Sequence, residues 1–230
     1  MSLACETCPV RDRAACAVLD EDERDALAAI GRTRTIRRGE MLFAAGDEDA
    51  ACATLVAGAL KVTSTNEGGD ERILALIHPS GFAGELFQPF AHYDVVALSD
   101  STLCTFSQKD MEAAIERYPA LGRALLRRSQ EDLHDARGLL DMTWRRDAKS
   151  RVAALILGLA RAASDSPCHP AQTFELPLTR GEMANLAGLT IETVSRRLTD
   201  LEKDGIITRE GARGILLADP ARLAAIAESG

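Results

Sequence analysis

Between Leu178 and Gly205 the chain specifies two helices and the turn between them, and this segment constrains the fold more than any other. Thr179-Arg180-Gly181-Glu182 reads as a capping box, in which a Thr hydroxyl and a Glu carboxylate three residues on satisfy free amides at a helix start. The helix Glu182–Ala187 then meets Gly188, a residue suited to the left-handed turn that ends helices. Thr190 caps a second helix, Ile191–Lys203, whose Val194, Leu198 and Leu201 recur at i, i+4 and i+7 on one buried face. Two helices joined by a tight glycine turn form a helix-turn-helix. The opposite face of the second helix offers Glu192, Ser195, Arg196 and Arg197 near its N-terminal end, where recognition helices meet base edges. Arg grips guanine O6 and N7 with two hydrogen bonds, Glu accepts from a cytosine amino group, and Ser is permissive. Gly205–Arg209, a Gly211–Gly214 turn and Ile215–Leu217 predict a β-wing against phosphates, and the chain is expected to end in this hairpin.

The rest of the chain changes period twice. From about Arg34 to Ser107, short apolar or alternating runs recur at 33–36, 41–43, 53–56, 60–64, 73–77, 95–98 and 102–106, with glycines between them. Such spacing predicts an all-β barrel, sandwich or roll. A short helix is expected before it, Leu19-Asp20-Glu21-Asp22 leading into Arg24–Ile30. From Gln108 to Arg146 the period is helical, and Pro119 suits the first turn of a long helix. Leu126, Ser129, Leu133, Ala136, Leu140 and Thr143 follow alternating spacings of three and four, the seam of a coiled coil. A dimer through that seam competes with a helix packed on its own domain, and the charged flanks Arg127, Arg128, Glu131, Asp132 and Arg137 favour the dimer. Another apolar helix, Arg151–Leu159, precedes a loop at Ser164–Gln172 marked by Pro167 and Pro170. The expected segments are 1–18 (cysteine-rich), 19–107 (β-roll), 108–146 (dimerisation helix) and 147–230 (winged helix-turn-helix), an α+β chain.

Charge and cysteine content narrow the chemistry. The net charge of −8 is uneven: Arg145–Gly230 holds 12 basic and 11 acidic residues, so the acidity lies in the upstream part. A near-neutral reading part is expected to have modest non-specific affinity for double-stranded DNA. No apolar run long enough to span a membrane occurs, and the opening MSLACETC has no signal-peptide character, so a cytoplasmic location is expected. In a reducing compartment, six cysteines point to metal ligands, redox groups or small buried side chains rather than disulfides. Cys5, Cys8 and Cys16 make C-x2-C-x7-C in a segment too small for its own core. Thiolates are soft ligands for zinc or iron–sulfur clusters. An all-thiolate site needs a fourth ligand, for which Cys52, Cys104 and Cys168 are the candidates. No catalytic constellation is present: His78, His92, His134 and His169 are scattered, so an enzyme is not expected.

β-roll, long dimer helix and winged helix-turn-helix in that order resemble the CRP/FNR superfamily over essentially the whole chain. Thr190-Ile191-Glu192-Thr193-Val194-Ser195-Arg196 is similar to the recognition helix of its FNR-type, oxygen-sensing members, and Asp147–Ala153 is similar to the segment that opens their DNA-binding domain. The resemblance implies that Glu192, Ser195 and Arg196 read TTGAT half-sites in a TTGAT-N4-ATCAA-like site. It also implies a homodimer and RNA polymerase as a partner. FNR-type sensors carry an N-terminal cysteine trio and one more cysteine on the roll before the dimer helix. The place of the last is held here by Cys104, so the resemblance implies a 4Fe–4S cluster on Cys5, Cys8, Cys16 and Cys104. The main rival is a structural zinc or thiol-redox site on the same residues, and Cys52 and Cys168 are read as bystanders. Gly84-Glu85-Leu86 resembles the start of the family's cyclic-nucleotide cassette, but the following Ala91–Val96 offers Asp94 and no arginine for a phosphate. No cyclic nucleotide is therefore expected, and Gly84 and Glu85 are read as fold residues.

Overall fold

Eight short strands succeed one another between residues 32 and 106 of the computed structural model, which describes residues 5–48, 51–145, 147–164, 166 and 168–229. They are β1 (Arg32–Ile36), β2 (Met41–Phe43), β3 (Cys52–Ala57), β4 (Leu60–Thr65), β5 (Glu71–Ile77), β6 (Phe82–Ala83), β7 (Asp94–Ala97) and β8 (Ser101–Phe106). All pairings are antiparallel, in two four-stranded sheets of order β1-β8-β3-β6 and β2-β7-β4-β5. Alternate residues of both sheets, among them Ile36, Leu55, Leu60, Val95 and Leu103, form the aliphatic core. This is the expected β-roll with one strand more. β6 is two residues long and has no alternation to read; it exists through its pairing of Ala83 with Ala53.

Two short 3₁₀ turns, Cys5–Thr7 and Ala15–Val18, precede α1 (Glu21–Ile30). This helix begins ahead of Arg24 because Asp20 and Glu23 form a reciprocal capping box, with Asp20 accepting from the Glu23 amide at 2.8 Å. After the roll, α2 (Gln108–Arg117) is capped by Ser107, and α3 runs Pro119–Trp144. The single helical region expected at 108–146 is thus two helices. Pro119 disfavours helical backbone at Tyr118, which takes φ −122° and ψ 82°. The expected end at Arg146 lies outside the described residues. A second core cluster joins Leu19, Leu27, Cys52, Phe106, Met111, Ala114 and Leu121.

The chain divides into two compact units, 1–135 and 136–230. In the second, α4 (Ala148–Ala162) is capped by Asp147, and β9 (Thr173–Glu175) follows. Next come α5 (Arg180–Ala187) and α6 (Ile191–Lys203), then β10 (Ile207–Glu210) and β11 (Gly214–Leu217). The wing is a three-stranded sheet, β10-β11-β9, rather than a hairpin alone. Nor does the chain end there: α7 (Pro220–Glu228) follows, capped by Asp219 with Pro220 in its first turn. α7 packs on α4, burying Leu223 and Ala227, and the Ser150 hydroxyl donates to the Ala227 carbonyl at 3.1 Å. Pro170 lies in the expected loop, whereas Pro167 lies outside the described residues. No helix among the described residues is long and apolar enough to cross a membrane.

Candidate functional site

The N-terminal turns, α1, β8 and the start of α3 enclose an apolar pocket, and Cys5, Cys8, Cys16 and Cys104 all line it. Cys5 and Cys16 are carried by the two 3₁₀ turns, with the Cys8 amide donating to the Cys5 carbonyl at 3.4 Å. Cys104 stands on β8, where it pairs with Thr33 on one side and Thr54 on the other. Phe82, Phe106, Leu121 and Leu125 supply the greasy wall. Burial, then the neighbouring thiols Cys8, Cys5 and Cys16, push the Cys104 thiol up to about 12. Burial is also the largest cause that raises Cys5 and Cys16, followed in each by Cys8. As free thiols these groups hold their protons at neutral pH, and a cationic centre is what would ionise them. Among the described residues, no three Cys, His, Asp or Glu side chains converge on a single metal-ion position. The donor set nonetheless fits an all-thiolate cluster: four soft sulfurs share one wall with Arg11 and Arg24, whose charges oppose that of thiolates.

The other two cysteines lie elsewhere. Cys52 is buried, its Sγ 3.7 Å from the Phe106 carbonyl, and burial pushes its thiol up to about 12. Cys168 is exposed in the second unit. At the position that resembles a nucleotide cassette, Glu85 accepts from the His92 amide at 3.1 Å and pairs with its Nδ1. Gly84 has φ +139°, and a Cβ there would stand 2.7 Å from Cβ of Cys52. The close approach of Cys52 thus requires a glycine at 84, and Glu85 is bonded to His92.

Arg128 on α3 was not singled out by the sequence, where it reads only as a charged flank. Its Nη2 donates to the Arg13 carbonyl at 3.0 Å and to Ser80 Oγ at 3.3 Å, while Nη1 pairs with Glu131 at 3.0 Å. It thus fastens the segment between Cys8 and Cys16 to the helix that carries the seam. On that helix Leu126, Leu133 and Leu140 are 63%, 41% and 59% exposed, and Ala136 is half-buried. Trp144, which no heptad count flagged, is 84% exposed. Large apolar side chains exposed to water are more often found at interaction surfaces than elsewhere on a soluble protein.

The helix pair α5–α6 has the expected local construction. Thr179 accepts from the Glu182 amide at 3.2 Å, the Glu182 carboxylate returns to the Thr179 amide, and Gly188 takes φ +61°. Val194, Leu198 and Leu201 are fully buried, while Glu192 and Arg196 are exposed and Ser195 half-buried. Hydrogen bonds from its own amide and from Thr190 hold the Glu192 carboxyl below its ordinary value. Arg197, which the sequence assigns to phosphate rather than to a base edge, is half-buried and paired with Asp200 at 2.8 Å, so a phosphate contact requires that ion pair to open. A further basic group, Arg180, stands at the start of α5 near Arg209, which is itself tied to Glu202 through Nε at 2.9 Å.

Comparison with known proteins agrees with this architecture. Residues 33–118 match the cyclic nucleotide-binding domain family and residues 150–226 the Crp-like helix-turn-helix domain family. The chain is 36% identical over 222 residues to the transcriptional activator protein FnrL of Cereibacter sphaeroides, covering 95% of this chain and 90% of that protein. It is 31% identical over 229 residues to the nitrogen fixation regulation protein FixK of Bradyrhizobium diazoefficiens, covering 97% and 93%. Among solved structures, FixK2 from Bradyrhizobium japonicum shares the fold with a TM-score of 0.78 at 24% identity, over 87% of this chain and 99% of that one. Two matching domains and a full-length relative above 30% identity establish that this chain belongs to the CRP/FNR family of transcription regulators, which are not enzymes.

Proposed function

We propose that this chain is an oxygen-responsive regulator that binds a TTGAT-N4-ATCAA-like site as a homodimer while a 4Fe–4S cluster is held by Cys5, Cys8, Cys16 and Cys104. The observation that carries the reading is the gathering of those four thiols, and of neither Cys52 nor Cys168, around one pocket. The names of relatives such as the transcriptional activator FnrL and the fumarate and nitrate reduction regulatory protein of Vibrio cholerae (28% identical) support it. A cluster bound there supplies sensitivity to oxygen, being stable in its absence and lost in its presence. The rest belongs to the chain. The cysteines tie residues 5–16 to β8, and Arg128 ties the same segment to α3 through the Arg13 carbonyl. Order in the segment is thereby linked to the helix whose Leu126, Leu133, Ala136 and Leu140 pack against a second copy. Dimerisation in turn sets two α6 helices about one DNA turn apart. Glu192, Ser195 and Arg196 then meet base edges, and affinity for DNA follows the state of the cysteines as a coupling free energy. No cyclic nucleotide enters this reading, since Glu85 is engaged by His92 and no arginine follows it.

Anaerobic purification followed by an absorption spectrum and an iron and sulfide assay tests the proposal. A brown protein that loses iron, sulfide and its dimer in air is the expected result. A colourless protein loaded with zinc, dimeric with or without oxygen, overturns it.

A further inference from the structure

Arg24 is on α1, and it lines the same pocket as the four thiols. One end of its guanidinium is committed: Nη2 donates to the Leu19 carbonyl at 2.8 Å, just beyond the turn that carries Cys16. Its Nε–H is buried and has no partner among the described residues. A buried donor without an acceptor is unfavourable and calls for an explanation. Among the described residues no carboxylate lines the pocket, and the polar residues around it are the four cysteines, Thr54 and the second arginine, Arg11.

We infer that Arg24 donates its free Nε–H to a sulfur of the cluster held in this pocket, while the same guanidinium fixes the Cys16 turn through Leu19. The inference rests on the cluster reading above and names a group that the four-cysteine pattern does not contain. A hydrogen bond from a cation to a sulfur withdraws negative charge and favours the reduced state, so it sets the potential and the lifetime of a cluster rather than its presence.

The test compares full-length wild type with Arg24→Gln and Arg24→Lys, all reconstituted anaerobically. Iron and sulfide are assayed, and the reduced cluster is titrated electrochemically and followed by EPR. Equal iron and sulfide are expected in all three. The midpoint potential of Arg24→Gln is expected to fall, with Arg24→Lys, which keeps the charge without the Nε–H, lying between. A tenfold weaker reduction equilibrium corresponds to about 59 mV for one electron. Cluster lifetime in air should shorten on the order of tenfold. Unchanged potential and lifetime at equal iron content overturn the inference and leave the cluster reading standing. Loss of iron from both variants at an unchanged melting temperature also overturns it, because Arg24 would then act through the Leu19 carbonyl alone. A wild type that assembles no iron and sulfide overturns the cluster reading itself.

Discussion

The helix pair α5–α6 is built from neighbours in sequence, whereas the cysteine pocket is built from strangers. The caps, the turn and the buried stripe of the former, from Thr179 through Gly188 to Leu201, lie within one short stretch, with Arg151 on α4 adding hydrogen bonds to the Ala187 and Gly188 carbonyls. The pocket brings Cys5 to Cys104 across the β-roll and closes over Leu121 at the start of α3. Damage to a locally built site should remain local and graded. Damage to a site assembled from distant parts should be collective, since each ligand is useful only when the others are in place.

The largest effect follows from that contrast. Cys104→Ser is expected to remove the whole cluster although it leaves the N-terminal trio untouched, because a hydroxyl is a poor substitute for a thiolate. Cys52→Ser and Cys168→Ser should keep full iron and sulfide. Retention of the cluster in Cys104→Ser together with its loss in Cys52→Ser breaks both the assignment and the comparison.

At the locally built site the response should be graded. Arg196→Ala is expected to cost about 1–3 kcal/mol per half-site and to relax preference at the guanine it grips. Selection of binding sites with wild type and variant reads both quantities. Uniformly weaker binding with unchanged preference would assign Arg196 to phosphate, leaving specificity to DNA shape.

Two glycines set the contrast within a single residue type. Gly188 is left-handed for a local reason: it ends α5, and a Cβ there would approach nothing nearer than Arg151 Nη1 at 3.7 Å. Gly188→Ala should therefore cost only the backbone penalty, about 1–2 kcal/mol. Gly84 answers to a distant residue, with Cys52 in the way of any Cβ and φ also positive. Gly84→Ala should add about 1–3 kcal/mol of overpacking to the same penalty. Thermal melts of both variants compare them, and equal losses would show that the Cys52 contact relaxes freely.

This contrast also explains what could be read from the chain. The caps at Thr179 and Thr190, the left-handed Gly188 and the buried Val194-Leu198-Leu201 stripe are short-range consequences of residue type, and all are found in place. Seven of the roll's strands are found near their expected positions for the same reason. β6 and β9 are defined by their partners Ala53 and Ile215 rather than by their own residues, and so leave no pattern in the sequence. α7 is different, since Asp219-Pro220 is a helix start written in the sequence itself, directly after the wing. Of the pocket, sequence shows the cysteines but neither Arg24 nor Arg128, whose importance lies in the carbonyls they reach at Leu19 and Arg13. Arg197 is the converse: both its charge and its partner Asp200 at i+3 are legible in the sequence.

The smallest effect concerns Asp132, beside the seam residue Leu133. Its side chain is exposed, but desolvation by the atoms crowded around it, opposed by Arg128 and reinforced by Asp135 and Glu131, pushes its carboxyl up to about 6 from an ordinary 3.8. Asp135 is raised too, by burial first, with His134 and Arg128 opposing and Glu131 adding to the rise. A carboxyl that binds its proton more tightly in the fold than in the unfolded chain stabilises the fold fully below the unfolded value. That contribution is lost as pH rises through the folded value, because between the two the folded chain holds more protons. The wild-type chain should therefore lose melting temperature between pH 4 and 7 by a route closed to Asp132→Asn, which cannot ionise. The variant's advantage should be larger at pH 7 than at pH 4.5, with Asp135 still titrating beneath it. Melting curves of wild type and Asp132→Asn across this range decide the matter. Parallel curves would mean that Asp132 is as well hydrated in the fold as in the unfolded chain, and that the acid beside the seam places no charge penalty on this helix.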